Sequence, residues 1–253
     1  MLHGLVIQVS NFKKYIGLLK SKIIYDFKPF NQLKLNRFYA EFISENKLCF
    51  DVGAHTGNRT NTWLKLGAKV VSVEPSPFLA KHLKRRFEKN KGFQLVEKAV
   101  GAKEGKGTFS LSSLYPTVST FSKAWAKTVE TELKTKVYDK TIEVEITTLE
   151  SLIDQFGIPQ FCKIDIEGFE LEALKGLSSP IPSLSFEFYS GHKKTCFNCL
   201  ELVNTLGSYE FNWAIGETLT LKETEWLDFT SIKNRIESFS KKGSGDVYAR
   251  LTK

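Results

Sequence analysis

From about residue 47 onward, short runs rich in Val, Ile and Phe alternate with stretches whose apolar residues recur at helical spacing. That rhythm predicts βαβ units on a parallel sheet. Residues 47–51 read as a first strand, 58–66 as a helix ended by Gly67, and 69–74 as a second strand halted by Pro75. In 77–90, Phe78, Leu79, Leu83 and Phe87 recur with basic residues between them, the spacing of an amphipathic helix lying on a sheet. Residues 93–100 read as a third strand, and 107–112 and 141–146 as further strands. The span between them, 113–140, is polar, Lys-rich and irregular, which predicts an insertion or lid. Beyond it come a helix over 148–156 ended by Gly157, a strand over 161–165, a helix over 169–175 closed by Gly176, and a strand over 184–188. A helix over 196–206, a strand over 209–214 and an edge strand over 246–251 complete the pattern. The division that follows is a helical, basic extension over 1–45 and a single α/β domain over 46–253.

Composition agrees with one packed domain: of 253 residues, 42% are hydrophobic and 25% charged, enough apolar surface to exclude disorder. The formal net charge of +8 is spread through the chain, so it permits anionic partners and names none. Cys49 and Cys162 sit in apolar, strand-like runs and read as buried free thiols. Cys196 and Cys199 form a lone CxxC on a helical segment with no second pair to complete a zinc site, and this usage suits a reducing cytoplasm. No run approaches the roughly 20 apolar residues of a spanning helix, and no signal-peptide core follows Met1. Residues 2–30 mix apolar side chains with Lys13, Lys14, Lys20, Lys22 and Lys28. Such a segment either lies on an anionic membrane surface or packs as a helix on the domain or a partner.

Chemistry concentrates where the first strand runs into Asp51, Val52, Gly53, Ala54, His55, Thr56 and Gly57, a glycine-containing turn at the carboxyl end of the strand, where open α/β sheets bind ligands. A dinucleotide fingerprint needs GxGxxG for close approach to a pyrophosphate; here only Gly53 and Gly57 remain, behind an acid, which favours a cofactor without phosphates. S-adenosylmethionine carries a cationic amino group and sulfonium, a carboxylate and a ribose. Asp51 and the turn amides match the amino and carboxylate groups. Glu74, before Pro75 at the end of the second strand, is placed to accept both ribose hydroxyls, as an acid about 20 residues on does in dinucleotide folds. The backbone of His55 matters here more than its imidazole, and His3 and His82 carry no assigned chemistry.

The segments CFDVGAHTG, VVSVEPSP, LVEKAVG, ITTLESLI, CKIDIEGFELEALKG and LSFEF follow one another as in the FkbM-type family of S-adenosylmethionine-dependent methyltransferases, which the chain resembles over about residues 47–190. KIDIEG with the helix after it is the most specific part; DVGA with EP is shared more widely among class I methyltransferases. The resemblance implies a Rossmann-like, seven-stranded class I methyltransferase sheet, mostly parallel with an antiparallel edge strand. It implies S-adenosyl-L-methionine as cofactor, with Asp51, Gly53 and Gly57 around the methionine part, Glu74 on the ribose, and the turn from Lys98 through Ala99 to Val100 near the adenine. It also implies O-methylation of a small hydroxylated molecule, a sugar or a glycan.

On the acceptor side, Asp165 and Glu167 stand at the carboxyl end of the fourth strand of the sheet, and Asp165 is the leading site acid, facing cofactor and acceptor alike. The two share a face if the strand runs through them; otherwise the turn at Gly168 separates them, and Glu167 caps the next helix or pairs with Lys163. Glu187 lies between Phe186 and Phe188 on the next strand, and His192 follows it in a loop as a candidate general base. Asp165, Glu167 and Glu187 either act as acids and bases or hold a divalent cation, as in some O-methyltransferases; with no His in register the set is expected to work without metal. Tyr115, Phe121 and Trp125 in the lid segment would wall off water. RNA methylation is the alternative the basic charge raises, disfavoured because the fourth strand ends in Asp165-Ile166-Glu167-Gly168 without an (N/D)PP(Y/F) tetrapeptide. A non-catalytic binding module is the other, disfavoured by the intact set of Asp51, Gly53, Gly57 and Glu74.

Overall fold

The computed structural model describes residues 31–252. The expected basic surface segment falls on residues 1–30, outside them. In chain order the first elements are α1 (Asn31–Tyr39), β1 (Leu48–Val52), α2 (Asn58–Lys65), β2 (Lys69–Val73), α3 (Pro77–Phe87), β3 (Phe93–Val96) and β4 (Ala99–Val100). Then come β5 (Gly105–Leu111), α4 (Lys123–Leu133), β6 (Lys140–Thr147), α5 (Leu149–Phe156), β7 (Phe161–Ile164) and α6 (Glu170–Lys175). The chain finishes with β8 (Ser183–Tyr189), α7 (Lys193–Leu206), β9 (Tyr209–Ile215), α8 (Phe229–Ser238) and β10 (Ser244–Leu251).

Seven strands form the main sheet in the order β3-β2-β1-β7-β8-β10-β9. All neighbours are parallel except β10, which runs antiparallel to both β8 and β9. The antiparallel edge expected of the sheet is present; the strand over 246–251, expected outermost, lies one place in, and β9 is outermost. Val247 and Ala249 of β10 are fully buried there. The predicted third strand over 93–100 breaks in two: β3 joins the main sheet, whereas β4 pairs with β6 in a separate three-stranded sheet, β4-β6-β5. Helix α8 had no sequence expectation.

Strand alternation gives the two faces different surroundings. Phe50, Val52, Val71, Val73, Cys162, Ile164, Leu184, Phe186 and Val247 point to one side and join one continuous apolar core with residues of α5, α6, α7 and α8. The intervening residues point to the other side. Toward the amino ends they are apolar, and Cys49, Phe161 and Tyr248 are covered by Leu35, Phe38, Tyr39 and Phe42 from α1 and its extension and by Trp63 from α2. Toward the carboxyl ends the same alternation brings up Asp51, Ser72, Lys163, Ser185, Glu187 and Asp246. Buried polar groups thus line one edge of one face, and the site lies there.

Candidate active site

Gly53 and Gly57 bend the chain from β1 into α2 with φ of +84° and +80°, the left-handed region that a side chain resists. A Cβ on Gly53 would stand 1.8 Å from the Asp165 carbonyl oxygen, so only glycine lets the first turn approach the end of β7. Gly57 is architectural: it precedes α2 and backs onto Leu83 and Phe87 of α3. Thr56 is buried, and its carbonyl accepts from Arg86 Nη1 at 2.8 Å.

The turn's amides are largely used within the protein, which corrects the expectation that they remain for a cofactor carboxylate. Gly53 and Ala54 both donate to the Val73 carbonyl, Gly57 donates to Ala54, and His55 donates to Glu74 Oε2 at 2.9 Å. Asp51 Oδ2 accepts from the Thr60 amide at 3.0 Å and from the Thr60 hydroxyl at 2.5 Å. Glu74 Oε1 accepts from the Ser76 amide at 2.9 Å. Burial pushes the Glu74 carboxyl up to about 7, against the pull of the Ser76 and His55 amides, and burial likewise raises Asp51 against its bonds to Thr60.

A cleft opens over these groups. Its walls include Asp51, Gly53, Ala54, His55, Thr56, Glu74, Pro75, Ala99, Val100 and Asp165, so the predicted cofactor residues come together, with Gly57 standing behind them. The residues fit S-adenosylmethionine: a buried carboxylate fixed by two amides faces a slot walled by Pro75, Leu79, Val100 and Phe109, suited to a ribose and an adenine.

At the end of β7 the KIDIEGFE segment turns sharply. Glu167 and Gly168 both have positive φ, 56° and 83°. Such backbone is costly for a non-glycine residue and persists only where surroundings hold it. The holder is Glu170, whose Oε1 accepts from the amides of Ile166 and Gly168 at 3.0 and 3.2 Å. Glu167 does not cap the helix: its carboxylate accepts from Trp125 Nε1 at 3.0 Å and its carbonyl accepts from Thr120.

Asp165, Glu167 and Glu187 each offer a carboxylate oxygen within 4.8 Å of the others. Three carboxylates at that separation do not all ionise. Burial pushes Asp165 up, but the Lys163 ammonium and the Arg59 guanidinium outweigh it and hold Asp165 below its ordinary value. Burial, and then the Asp165 charge, drive Glu167 and Glu187 well above theirs. Lys163 reaches Asp165 at 3.2 Å and Asp246 at 2.8 Å, and its side chain is only 3% exposed. His192 stands apart from the cleft lining: its Nε2 meets the Thr128 hydroxyl at 3.1 Å and its ring lies against Trp125 and Tyr189. It sits in the aromatic cluster of Trp125 and Tyr189, apart from the place expected for a base beside the acceptor.

The lid segment is ordered rather than irregular. Ser122 caps α4 by accepting from the Trp125 amide, and Trp125 packs edge-on to Tyr189 at 5.2 Å. Phe121 stacks between Phe109 and Phe169, whereas Tyr115 stays exposed. Arg59, Asp246 and Glu170 had no assigned role from sequence, and Lys163, considered as a partner for Glu167, pairs with Asp165 and Asp246 instead. Lys163 alone left a signal, a lysine inside the apolar strand Phe161–Ile164. The four cysteines are buried and free, as expected. Among the described residues no helix is long and apolar enough to cross a membrane.

The family profile described as Methyltransferase FkbM domain matches residues 51–212. No curated protein matches the chain. Among solved structures, a TehB-like SAM-dependent methyltransferase from Corynebacterium glutamicum ATCC 13032 Kitasato is similar over 97% of this chain and 99% of that one, with a TM-score of 0.50 and 11% identity. A precorrin-6y C5,15-methyltransferase from Geobacter metallireducens GS-15 is similar over 87% of each chain, with a TM-score of 0.45 and 11% identity. An rRNA methylase from Streptococcus thermophilus is similar over 86% of this chain and 94% of that one, with a TM-score of 0.42 and 11% identity. At such identity the first of these shows a shared fold.

Proposed function

The chain belongs to the FkbM family of methyltransferases, and from that premise we propose that it methylates a hydroxyl oxygen of a small hydroxylated molecule, a sugar or a glycan. It is an S-adenosylmethionine-dependent methyltransferase; the acceptor is the step proposed. The observation that carries the reading is the convergence of Glu187 on Asp165 and Glu167, which line the cofactor cleft: the three carboxylates lie within 4.8 Å of one another. Bound S-adenosylmethionine supplies an electrophilic methyl on a sulfonium. The chain's own residues have to place an alcohol in line with it, exclude water and receive the hydroxyl proton. Orientation contributes most in such displacements, and a positioned base adds roughly 10² to 10⁴-fold.

Asp165, kept ionised beside Lys163, faces the cleft, orients the reacting groups and is the carboxylate of the three that receives the hydroxyl proton as the methyl leaves the sulfonium. Glu187 makes no hydrogen bond or ion pair with another described residue and is half-buried, so its carboxyl is available to a hydroxyl. Glu167, fixed by Trp125, sets the distance between them. Segment 113–140 serves as the lid: Phe121 and Trp125 put apolar surface over the acids and keep water from competing with the alcohol. The buried, unpaired cysteines support a reducing compartment, the cytoplasm.

Incubation with methyl-labelled cofactor and a panel of hydroxylated small molecules, sugars and glycans tests this directly. Transfer to one class is expected, lowered by about 10²-fold or more in Asp165→Ala and Glu187→Ala, while Glu187→Ala keeps the wild-type affinity for S-adenosylhomocysteine. Full activity in both variants, or label appearing in RNA instead, overturns the reading.

A further inference from the structure

An amino-acid arm carries a carboxylate, and the cleft has to meet that charge with something. The amides of Gly53, Ala54, His55 and Gly57 donate within the protein, so a cation is the natural partner. Three lysine and arginine side chains line the cleft: Arg59, Lys98 and Lys163. Lys163 is enclosed between Asp165 and Asp246. Lys98 sits beside Ala99 at the opposite end, 42% exposed and paired with Glu145 at 3.1 Å. Arg59 remains.

Arg59 is the second residue of α2, next to the turn, with a side chain 11% exposed. Its Nη2 lies 2.5 Å from Glu217 Oε2 and its Nη1 a loose 3.4 Å from Asn58 Oδ1. Its Nε is buried without an acceptor at hydrogen-bonding distance among the described residues, and the guanidinium also lies close to the buried Tyr39 hydroxyl. A planar guanidinium presents five donors in a fixed fork, and this one lines the cleft with donors beyond those spent on Glu217 and Asn58. It also stands at the amino end of a helix, whose dipole favours an anion there.

We propose that Arg59 is the anchor for the carboxylate of the cofactor's amino-acid arm, with Glu217 holding the guanidinium in position from the loop after β9. This rests on the reading of the cleft as the S-adenosylmethionine site. Asp51 and Asp165, on the same cleft wall, then flank the cationic amino group of that arm, so both ends of the zwitterion meet opposite charge.

Calorimetric titration with two ligands isolates the contact. S-adenosylhomocysteine carries the amino-acid arm; 5′-methylthioadenosine shares its adenosine and thioether and lacks the arm. Arg59→Gln is expected to lose roughly 10 to 100-fold in affinity for S-adenosylhomocysteine, the range of a charge-assisted contact, and to bind 5′-methylthioadenosine as the wild type does. Binding of the second ligand also reports that the variant is folded; should Arg59→Gln not fold, Arg59→Lys, which keeps the charge and loses the fork, is read by the same ratio and is expected to show a partial loss. Equal losses for both ligands, or unchanged affinity for S-adenosylhomocysteine, overturn the anchor. A wild type that binds neither ligand overturns the cofactor reading itself, a result distinct from a wild type that binds both.

Discussion

The two halves of the cleft are built by different means. Around Asp51 and Glu74 each carboxylate is held by amides and a hydroxyl from the turns themselves and the helix that follows. Around Asp165, Glu167 and Glu187 the acids crowd one another, and what steadies them arrives from far along the chain: Asp246 through Lys163, 83 residues away, and Trp125, 42 residues away. The first half is a local device that any chain with the right turn can carry. The second depends on long-range packing, so its shape can change with the lid while the cofactor half stays fixed.

The largest break in that comparison comes from Lys163→Met. Its loss leaves Asp165 and Asp246 facing each other across the sheet without their shared cation. Removing one partner of a buried ion pair costs about 3 kcal/mol or more, read as a fall in chemical-denaturation stability at neutral pH. Asp165 is held below its ordinary value in the wild type, so it contributes stability that is present above its unfolded value and lost as pH falls through the folded one. The variant should lack that acid-side decline. A variant as stable as the wild type at neutral pH would mean that the acceptor half does not depend on its long-range cation.

How much of this was legible in sequence follows the same division. The turn from Asp51 to Gly57 is contiguous, its glycines mark backbone that other residues resist, and Glu74 lies one strand away, so pattern and spacing reach them. The strand after Glu74 and the two faces of the sheet follow from period-two alternation. Alternation does not say which strand lies beside which, and so the outermost place expected for β10 belongs to β9, with β10 beside β8. The acceptor half was legible in its members and not in their roles. Glu167 and Glu170 sit three residues apart, and only the turn at Gly168 decides that Glu170 holds the backbone while Glu167 turns back to Trp125. Arg59 gave no signal because an arginine in the first turn of a helix is ordinary until the fold shows it facing a cleft.

A smaller effect is expected from Glu74→Gln, and its pH dependence sharpens the local character of the cofactor half. Burial raises the folded carboxyl from 4.5 to about 7. The folded state therefore holds a proton that the unfolded state releases earlier, and stability is fully present below pH 4.5 and declines as pH rises to about 7. Glutamine cannot titrate, so the difference in unfolding free energy between variant and wild type should shift in the variant's favour across that window, by an amount on the order of 3 kcal/mol. The bond lost to one of the two amides adds a constant offset and leaves the slope unchanged. No change in slope would show that the Glu74 carboxylate is well solvated, against its 5% exposure.

The smallest effect belongs to Trp125→Phe, which separates the lid's two contributions. Phenylalanine keeps an aromatic face against Tyr189 and against Gly168, where the indole packs closely, and removes only the N–H that Glu167 accepts at 3.0 Å. A single hydrogen bond to a carboxyl is worth about 1 to 2 kcal/mol, so kcat/KM toward the acceptor should fall about tenfold. S-adenosylhomocysteine affinity should not move, because the cofactor half takes its order from its own turns. A parallel loss of cofactor affinity would show that the two halves are one device, with the lid helix setting the Asp51 and Glu74 side of the cleft through Glu167.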